Sequence, residues 1–403
     1  MSSKYDVAAY IWPAYTGQER RTRIFWPEGI GEWQTVRNSK PKSNGYSWNR
    51  QPLWGFQDEA DPAVMEMQIE NAVKYGVNVF AYDWYWYDRR PFLENCLNDG
   101  FLKARNCHRM KFYLMWANHD ATQLWDIRNS SDEDTVVWSG QVDRPAFETM
   151  ALRLIEKYFT HPQYLRIDGK PLFCIYDLRN FVEGLGGTEA ARAAIDWFRE
   201  ACRQAGLPGL HLQIILQSPC VANMSGIDKQ TLMLTPELAE HLTVDSVTHY
   251  QYVHFTNINR PYPDVMKDVL AQWKELKRSF RIPYFPHVSL GWDNNPRFIE
   301  FREGIMQDTT PENIRYALQC AKEYIDEQAD LYPLVTINSW NEWTETSYLL
   351  PDNVNGCGYL QAVQDVFSRK RGEQHPLKTD ESFSAPPSEV SDLTQSYAAV
   401  LRG

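Results

Sequence analysis

Asn341-Glu342-Trp343-Thr344-Glu345 puts two carboxylates three positions apart, flanked by Trp340 and Trp343, just after an apolar run that reads as a strand. Cleavage of a glycosidic bond commonly uses two carboxyl groups, one protonating the leaving oxygen and the other acting as base or nucleophile. Apolar flanks raise the pKa of one such carboxyl so that it can be an acid at neutral pH. Spacing leaves the separation open. Three residues span about 10 Å in extended chain, whereas i and i+3 side chains lie about 5–6 Å apart on a helical turn. Retaining chemistry wants roughly 5 Å and inverting chemistry roughly 6.5–9.5 Å. Taken alone, the pair fits equally well as acidic residues at a helix start, where the macrodipole favours negative charge.

Other apolar β runs end on a similar mixture. The first carries Tyr10 and Trp12 along its length. Tyr82-Asp83-Trp84-Tyr85-Trp86-Tyr87 closes the second, Trp116-Ala117-Asn118-His119-Asp120 the third and Tyr176-Asp177 the fourth. Gln217-Ser218, then His249-Tyr250-Gln251-Tyr252, then His287 with Trp292-Asp293-Asn294 follow. Sugars need such a mixture, because their C–H faces stack on rings and their hydroxyls need paired donors and acceptors. The expected site therefore has Glu342 and Glu345 at its centre. Its sugar-contacting set is Tyr10, Trp12, Trp54, Asp83, Tyr85, Trp86, Trp116, Asn118, His119, Tyr176, His249, Tyr252, Trp292, Asp293, Trp340, Asn341 and Trp343. Any one of these rings could instead cap a barrel core. Asp83 could equally be a buried ion-pair partner of Arg89 or Arg90. His119 with Asp120, and His249 near Asp245, could ligate metal, but no H-E-x-x-H or tight His/carboxylate cluster accompanies them. Hydrogen bonding to substrate is the preferred role, with no metal and no cofactor expected. Ser218 lacks the G-x-S-x-G elbow of an esterase, and Cys174 lies inside an apolar run and reads as core.

Eight β runs carry these residues, at about 6–15, 77–84, 110–118, 171–177, 211–217, 244–252, 284–291 and 332–340. Segments of period near 3.6 lie between them. Met65, Ile69, Ala72 and Val73 share one face, and Phe147, Ala151, Leu154 and Tyr158 share another behind Asp143 as cap. Thr188 can cap a helix striped by Ala191, Ile195, Phe198 and Cys202. Val265, Val269, Trp273 and Leu276 form a further stripe, and Thr309-Thr310-Pro311-Glu312 opens a helix with Ile314, Ala317, Ala321 and Tyr324. The alternation predicts an α/β fold, a (β/α)8 TIM barrel, whose chemistry sits at the C-terminal ends of the strands. An open doubly wound sheet is the rival, but no Gly-rich turn follows the first strand. Residues 16–60 form a long β-to-α excursion expected to build the rim. The barrel is expected over 1–370, with 371–403 a C-terminal extension packed on it or trailing from it.

Composition sets the outer limits. The chain has 403 residues, 43% hydrophobic and 14% aromatic, with a formal charge of −11 from 41 basic and 52 acidic residues. A diffuse acidic excess argues against nucleic acid and anionic membrane surfaces as partners. No run of eighteen apolar residues suggests a transmembrane helix. The start, Met1-Ser-Ser-Lys-Tyr-Asp-Val, has no signal-peptide pattern, and the seven cysteines are scattered without C-x-x-C; together these predict a cytoplasmic chain. Oligomeric state is left open.

The chain resembles the glycoside hydrolase family 99-like group, the WbsX-like proteins of polysaccharide loci. The resemblance is carried in order by Ala9-Tyr10-Ile11-Trp12-Pro13, Gln57-Asp58-Glu59, the run from Glu70 to Phe80 leading into Trp84-Tyr85-Trp86-Tyr87, and Trp116-Ala117-Asn118-His119. Asp168-Gly169-Lys170-Pro171, Gly291-Trp292-Asp293-Asn294-Asn295-Pro296-Arg297, Asn338 through Glu345, and Tyr348-Leu349-Leu350-Pro351-Asp352 complete it, so it covers about residues 5–365. It implies a (β/α)8 barrel and a retaining, metal-independent glycoside hydrolase acting on an α-mannoside or related sugar in a polysaccharide or oligosaccharide. Glu342 would be the base on the substrate 2-hydroxyl, giving a 1,2-anhydro sugar, and Glu345 the general acid/base at the glycosidic oxygen. Thr346 stands where relatives often have Gly, and Leu350 where they often have Glu. WbsX-like proteins have also been labelled glycosyltransferases of polysaccharide or O-antigen biosynthesis, which is the alternative activity. The sequence itself shows no Gly-rich phosphate loop and no D-x-D.

Overall fold

Eight parallel strands form the centre of the computed structural model, which describes residues 4–17, 19–132, 134–218 and 232–368. They are β1 (Asp6–Ile11), β2 (Val79–Tyr87), β3 (Lys111–Trp116), β4 (Lys170–Ile175), β5 (His211–Ile215), β6 (Ser246–Thr248), β7 (His287–Ser289) and β8 (Leu334–Asn338). Their order is β6-β5-β4-β3-β2-β1-β8-β7. A parallel bridge between Val247 and Tyr284 joins the two ends, with Phe285 N donating to Val247 O at 2.9 Å. Sequential neighbours paired in parallel and closed on themselves make a (β/α)8 barrel, as the alternation predicts. β1, β2, β5, β6, β7 and β8 are buried along their whole length, which is why they read as continuous apolar runs.

The outer layer is α1 (Pro62–Tyr75), α2 (Arg144–Leu154), α3 (Leu178–Leu185), α4 (Thr188–Gln204), α5 (Pro236–His241), α6 (Tyr262–Ser279), α7 (Pro311–Asp326) and α8 (Gly358–Phe367). Between β2 and β3 a π-helical turn, Cys96–Phe101, stands where a full helix would be. Local chemistry sets the starts. Asp61, Asp143 and Thr310 each accept a backbone N–H of the first turn, and a proline stands one or two residues after each. α4 begins one residue earlier than a Thr188 cap would allow: Gly187 holds the cap position and Thr188 is the first helical residue. The predicted stripes Val265, Val269, Trp273, Leu276 and Ala191, Ile195, Phe198, Cys202 are all buried.

The strands are shorter than the apolar runs. β1 stops at Ile11 because Trp12 pairs both its backbone groups with the Asn341 side chain instead of a neighbouring strand. Residues 371–403 lie outside the described residues, as does the expectation that they pack on or trail from the barrel. No described helix is long and apolar enough to cross a membrane.

Candidate active site

The two glutamates leave β8 on a small hairpin. Asn341–Glu342 pairs antiparallel with Ser347–Tyr348 around a 3-10 turn, Trp343–Glu345. Ser339 Oγ pins it, donating to Ser347 O at 2.7 Å and accepting from Glu342 N at 2.7 Å. A 3-10 turn has three residues per turn, so positions i and i+3 eclipse. Glu342 and Glu345 therefore face the same partner. Arg297 Nη1 donates to Glu345 Oε1 at 2.7 Å, and its Nη2 donates to Glu342 Oε2 at 3.3 Å.

Arg297 is buried and serves a third carboxylate as well. Its Nε lies 3.5 Å from Glu32 Oε1 and donates to Thr344 Oγ1 at 2.8 Å. Glu32 in turn accepts from Trp12 Nε1 at 2.6 Å, Tyr15 Oη at 3.3 Å and Thr344 Oγ1 at 3.0 Å. Glu32 comes from the excursion after β1. Gly31 allows its approach, since φ is +59° there and a Cβ would sit 1.8 Å from Ala14 O. Gly291 has the same function on the other side, where a Cβ would lie 2.6 Å from Thr346 O; this lets Asp293 N donate to Glu345 O at 2.8 Å.

Asp83, on β2, points toward this cluster and makes no ion pair with Arg89, which pairs with Asp143 instead. Tyr250 Oη donates to Asp83 Oδ2 at 2.8 Å and lies 3.3 Å from Glu342 Oε1. Asp83 Oδ1 and Glu345 Oε2 are buried with no hydrogen-bond partner among the described residues.

Burial raises the pKa of all three acids. It pushes Asp83 well above the usual aspartate range. Glu342 is pushed well up by burial and then by the neighbouring Glu345 charge. Glu345 is raised by burial too, but Arg297 pulls it back. Arg297 sits closer to Glu345 and offsets more of the burial there, so both carboxyls favour the protonated form and Glu342 does so more strongly. Burial works against the Arg297 charge, but Glu32, Glu345 and Glu342 outweigh it and hold the guanidinium protonated.

The other expected residues divide by strand parity. Asp83 and Tyr85 share the inner face of β2, and Tyr85 meets the edges of Trp12 and His119. Trp86 is on the opposite face and stacks on Trp84, which bonds Glu94 in the helical layer. Trp116 packs outward on Phe147 and Phe181, and Trp340 bonds Gln68 of α1 at 2.8 Å. These three indoles are not brought to the carboxylates. Nor is His249, whose Nδ1 pairs with Tyr284 Oη at 2.9 Å while its ring stacks on Phe255, or Tyr252, which donates to His287 O at 3.3 Å. Asn118 spends both ends of its amide on the Asp177 backbone, at 2.7 Å each. Trp343 stacks on Tyr348 and supports the hairpin. Asn341 ties Trp12 to Glu59, accepting and donating at 2.8 Å.

Tyr10 and Tyr176 pack against Tyr250, and His119 faces Tyr176 while its Nδ1 meets Asp120 O at 2.8 Å. A cavity of about 220 Å³ is lined by Tyr46, Trp48, Arg50, Trp292, Asp293 and Thr346, the residue after Glu345; neither Glu342 nor Glu345 lines it. Tyr46 donates to Asp293. A second cavity, of about 280 Å³, shares Trp48, Asn49 and Arg50 and runs on to Arg37 and Phe56. Trp54 is half-buried on the same excursion and lines neither.

Arg297, Glu32, Tyr250, Tyr15 and Thr344 belong to the site although sequence reasoning did not single them out as site residues. Arg297 had a signal, since it closes the Gly291–Arg297 motif, and Tyr250 sat between two candidates. Glu32 had none.

A (β/α)8 barrel with a buried carboxylate pair at its C-terminal mouth is an architecture on which many chemistries are built. Residues 7–363 match the family described as glycosyltransferase WbsX, and the chain belongs to that family. It is 28% identical over 358 residues to a Xanthomonas campestris pv. campestris protein described as uncharacterized protein WxcX, covering 86% of this chain and 47% of that protein. The chain thus spans about half the length of the curated relatives it matches. Among solved structures it is similar to a GH99 endo-alpha-mannosidase from Bacteroides thetaiotaomicron, at 14% identity and a TM-score of 0.56, covering 91% of this chain and 97% of that one. A glycoside hydrolase-like protein is similar at 16% identity and the same TM-score, covering 92% and 95%. At these identities the likeness is one of fold.

Proposed function

We propose that this chain is a glycoside hydrolase that cleaves a glycosidic bond with retention, using Glu342 and Glu345. The observation that carries the reading is the pairing of both carboxylates on Arg297, with Glu345 Oε2 left without a hydrogen-bond partner among the described residues. Arg297 occupies one Glu345 oxygen and fixes its direction, so the other oxygen is the one that carries a proton to the glycosidic oxygen. Glu342 takes the proton of the sugar 2-hydroxyl as the 2-oxygen attacks the anomeric carbon. A 1,2-anhydro sugar forms, and water opens it with Glu345 as base. No enzyme nucleophile is needed. The substrate is an α-mannoside or a related sugar in a polysaccharide or oligosaccharide, with part of the chain seated in the cavity beside Thr346.

Glu345→Gln removes the acid, and turnover of a cleaved glycan falls at least about a hundredfold. A glycan-panel digest of wild type and variant, with anomeric NMR of the first product, tests the reading. Unchanged cleavage in the variant overturns the role of Glu345, and an inverted product overturns the anhydro-sugar route.

The family description favours a second reading, a glycosyltransferase of polysaccharide assembly. It requires binding of a nucleotide-sugar or lipid-linked donor. Calorimetry without donor binding, together with release of free sugar, removes it.

A further inference from the structure

The retaining reading, on which this inference rests, needs Glu342 ionised, yet the resting site favours a proton there. Tyr250 has one hydroxyl proton and two carboxyls in reach, Asp83 Oδ2 at 2.8 Å and Glu342 Oε1 at 3.3 Å. It donates to the nearer one, Asp83. The longer contact then sets two oxygen atoms side by side, unless Glu342 carries a proton and donates it to Tyr250 Oη. Asp83 is 3% exposed, and among the described residues its Oδ1 has no hydrogen-bond partner and no ion pair neutralises it. A buried, unpaired carboxylate is costly, so Asp83 is a place where a proton is welcome. The groups facing it are neutral or acidic: Tyr10, Tyr85, Tyr113, Tyr176, Cys174 and Glu345. Arg297 meets the other oxygen of Glu342, next to Glu32 and Glu345. The His254 ring lies parallel to that of Tyr250, and burial keeps it neutral, down to about 3.

We propose that Asp83 acts through Tyr250 as the proton reservoir of Glu342. The Glu342 proton passes to Tyr250 Oη as the Tyr250 proton passes to Asp83 Oδ2. One O–H bond breaks and one forms at each oxygen pair, and the negative charge moves from Asp83 to Glu342 without leaving the cluster. Glu345 carries a second proton on Oε2, the oxygen without a partner among the described residues; Glu342 then accepts the 2-hydroxyl proton while the glycosidic C–O bond breaks toward the oxygen that Glu345 protonates. When water opens the anhydro sugar, Glu342 returns that proton to the 2-oxygen and Glu345 takes the proton of water. Asp83 touches no reacting atom in this scheme and is a positioning residue, with Tyr250 as its link.

Asp83→Asn and Tyr250→Phe are close in shape to the wild type, and thermal unfolding checks that both variants fold. Isotope-edited infrared spectroscopy of the full chain, with Glu342→Gln to identify the Glu342 band, needs no substrate. In Asp83→Asn the Glu342 titration moves to lower pH by about one unit, a tenfold change in proton affinity. An unmoved band overturns the proposal. On a cleaved glycan, each variant lowers kcat by about a hundredfold with KM unchanged, and the double variant is no slower than the slower single one. A rise in KM instead, as for a lost sugar ligand, or additive losses overturn it. If the wild type cleaves nothing across the panel, the glycosidase reading fails, while the infrared comparison still decides whether Asp83 and Glu342 are coupled.

Discussion

Arg297 Nη1 lies 2.7 Å from Glu345 Oε1, and the same guanidinium reaches Glu342 and Glu32. Removing the cation leaves three buried carboxyls facing one another. Arg297→Gln is expected to lose about 3–5 kcal/mol of stability at neutral pH, the scale of a broken buried pair. The loss shrinks in acid. Without Arg297 the folded-state pKa values of these carboxyls rise, so the native state binds more protons than the unfolded chain and stability falls as pH rises. Urea unfolding of wild type and variant at about pH 5 and about pH 8 checks both the size and the sign.

Glu59 gives a second pH dependence, in the wild type itself. Burial raises it to about 8, although Gln68 and Asn341 hydrogen bonds pull the other way. Its ordinary unfolded value is about 4.3. The folded value is the higher one, so the stabilisation is complete below the unfolded value and is lost as pH climbs toward about 8. Glu59→Gln keeps an acceptor for Asn341 and removes the titration. Its stability should be flatter across that window than the wild-type curve, as read by denaturant midpoints. An equally steep variant curve would assign the dependence to other groups.

The carboxylate pair and the barrel were legible in the sequence because both rest on local order: two glutamates on one turn, and apolar runs alternating with 3.6-period stripes. Strand parity was not. β2 is aromatic or apolar on both faces apart from Asp83, so nothing in Tyr82 through Tyr87 tells which rings point inward. Trp86 joined the expected site although its face packs outward. The same one-residue ambiguity brought His249 into the expected site in place of Tyr250; Tyr252, two positions on, lies in the 3-10 turn Tyr252–His254, where strand parity no longer holds. Asn118 looked like a free amide at a strand end, but a buried amide needs partners, and the Asp177 backbone supplies them. Glu32 and Arg297 come from loops, where no periodicity marks direction, and only the closed fold brings them together.

Thr346 offers a test of the cavity. It stands at φ +54°, ψ 36°, beside Glu345, where a β-branched residue is strained. Its hydroxyl offsets this by accepting from Trp48 Nε1 at 2.9 Å and donating to Asp293 O at 2.9 Å. Thr346→Gly relieves strain of about 1–3 kcal/mol and gives up two hydrogen bonds of about 1 kcal/mol each. The net change in stability is therefore small, within about 1 kcal/mol. Trp48 loses its anchor on the wall it shares between the two cavities. If a sugar seats there, the variant raises KM and leaves kcat near wild type, the signature of lost uniform binding. Thermal unfolding together with Michaelis kinetics on a cleaved glycan reads both quantities. A fall in kcat at constant KM would instead mean that Thr346 acts through the Glu345 turn, and that the cavity holds no part of the substrate.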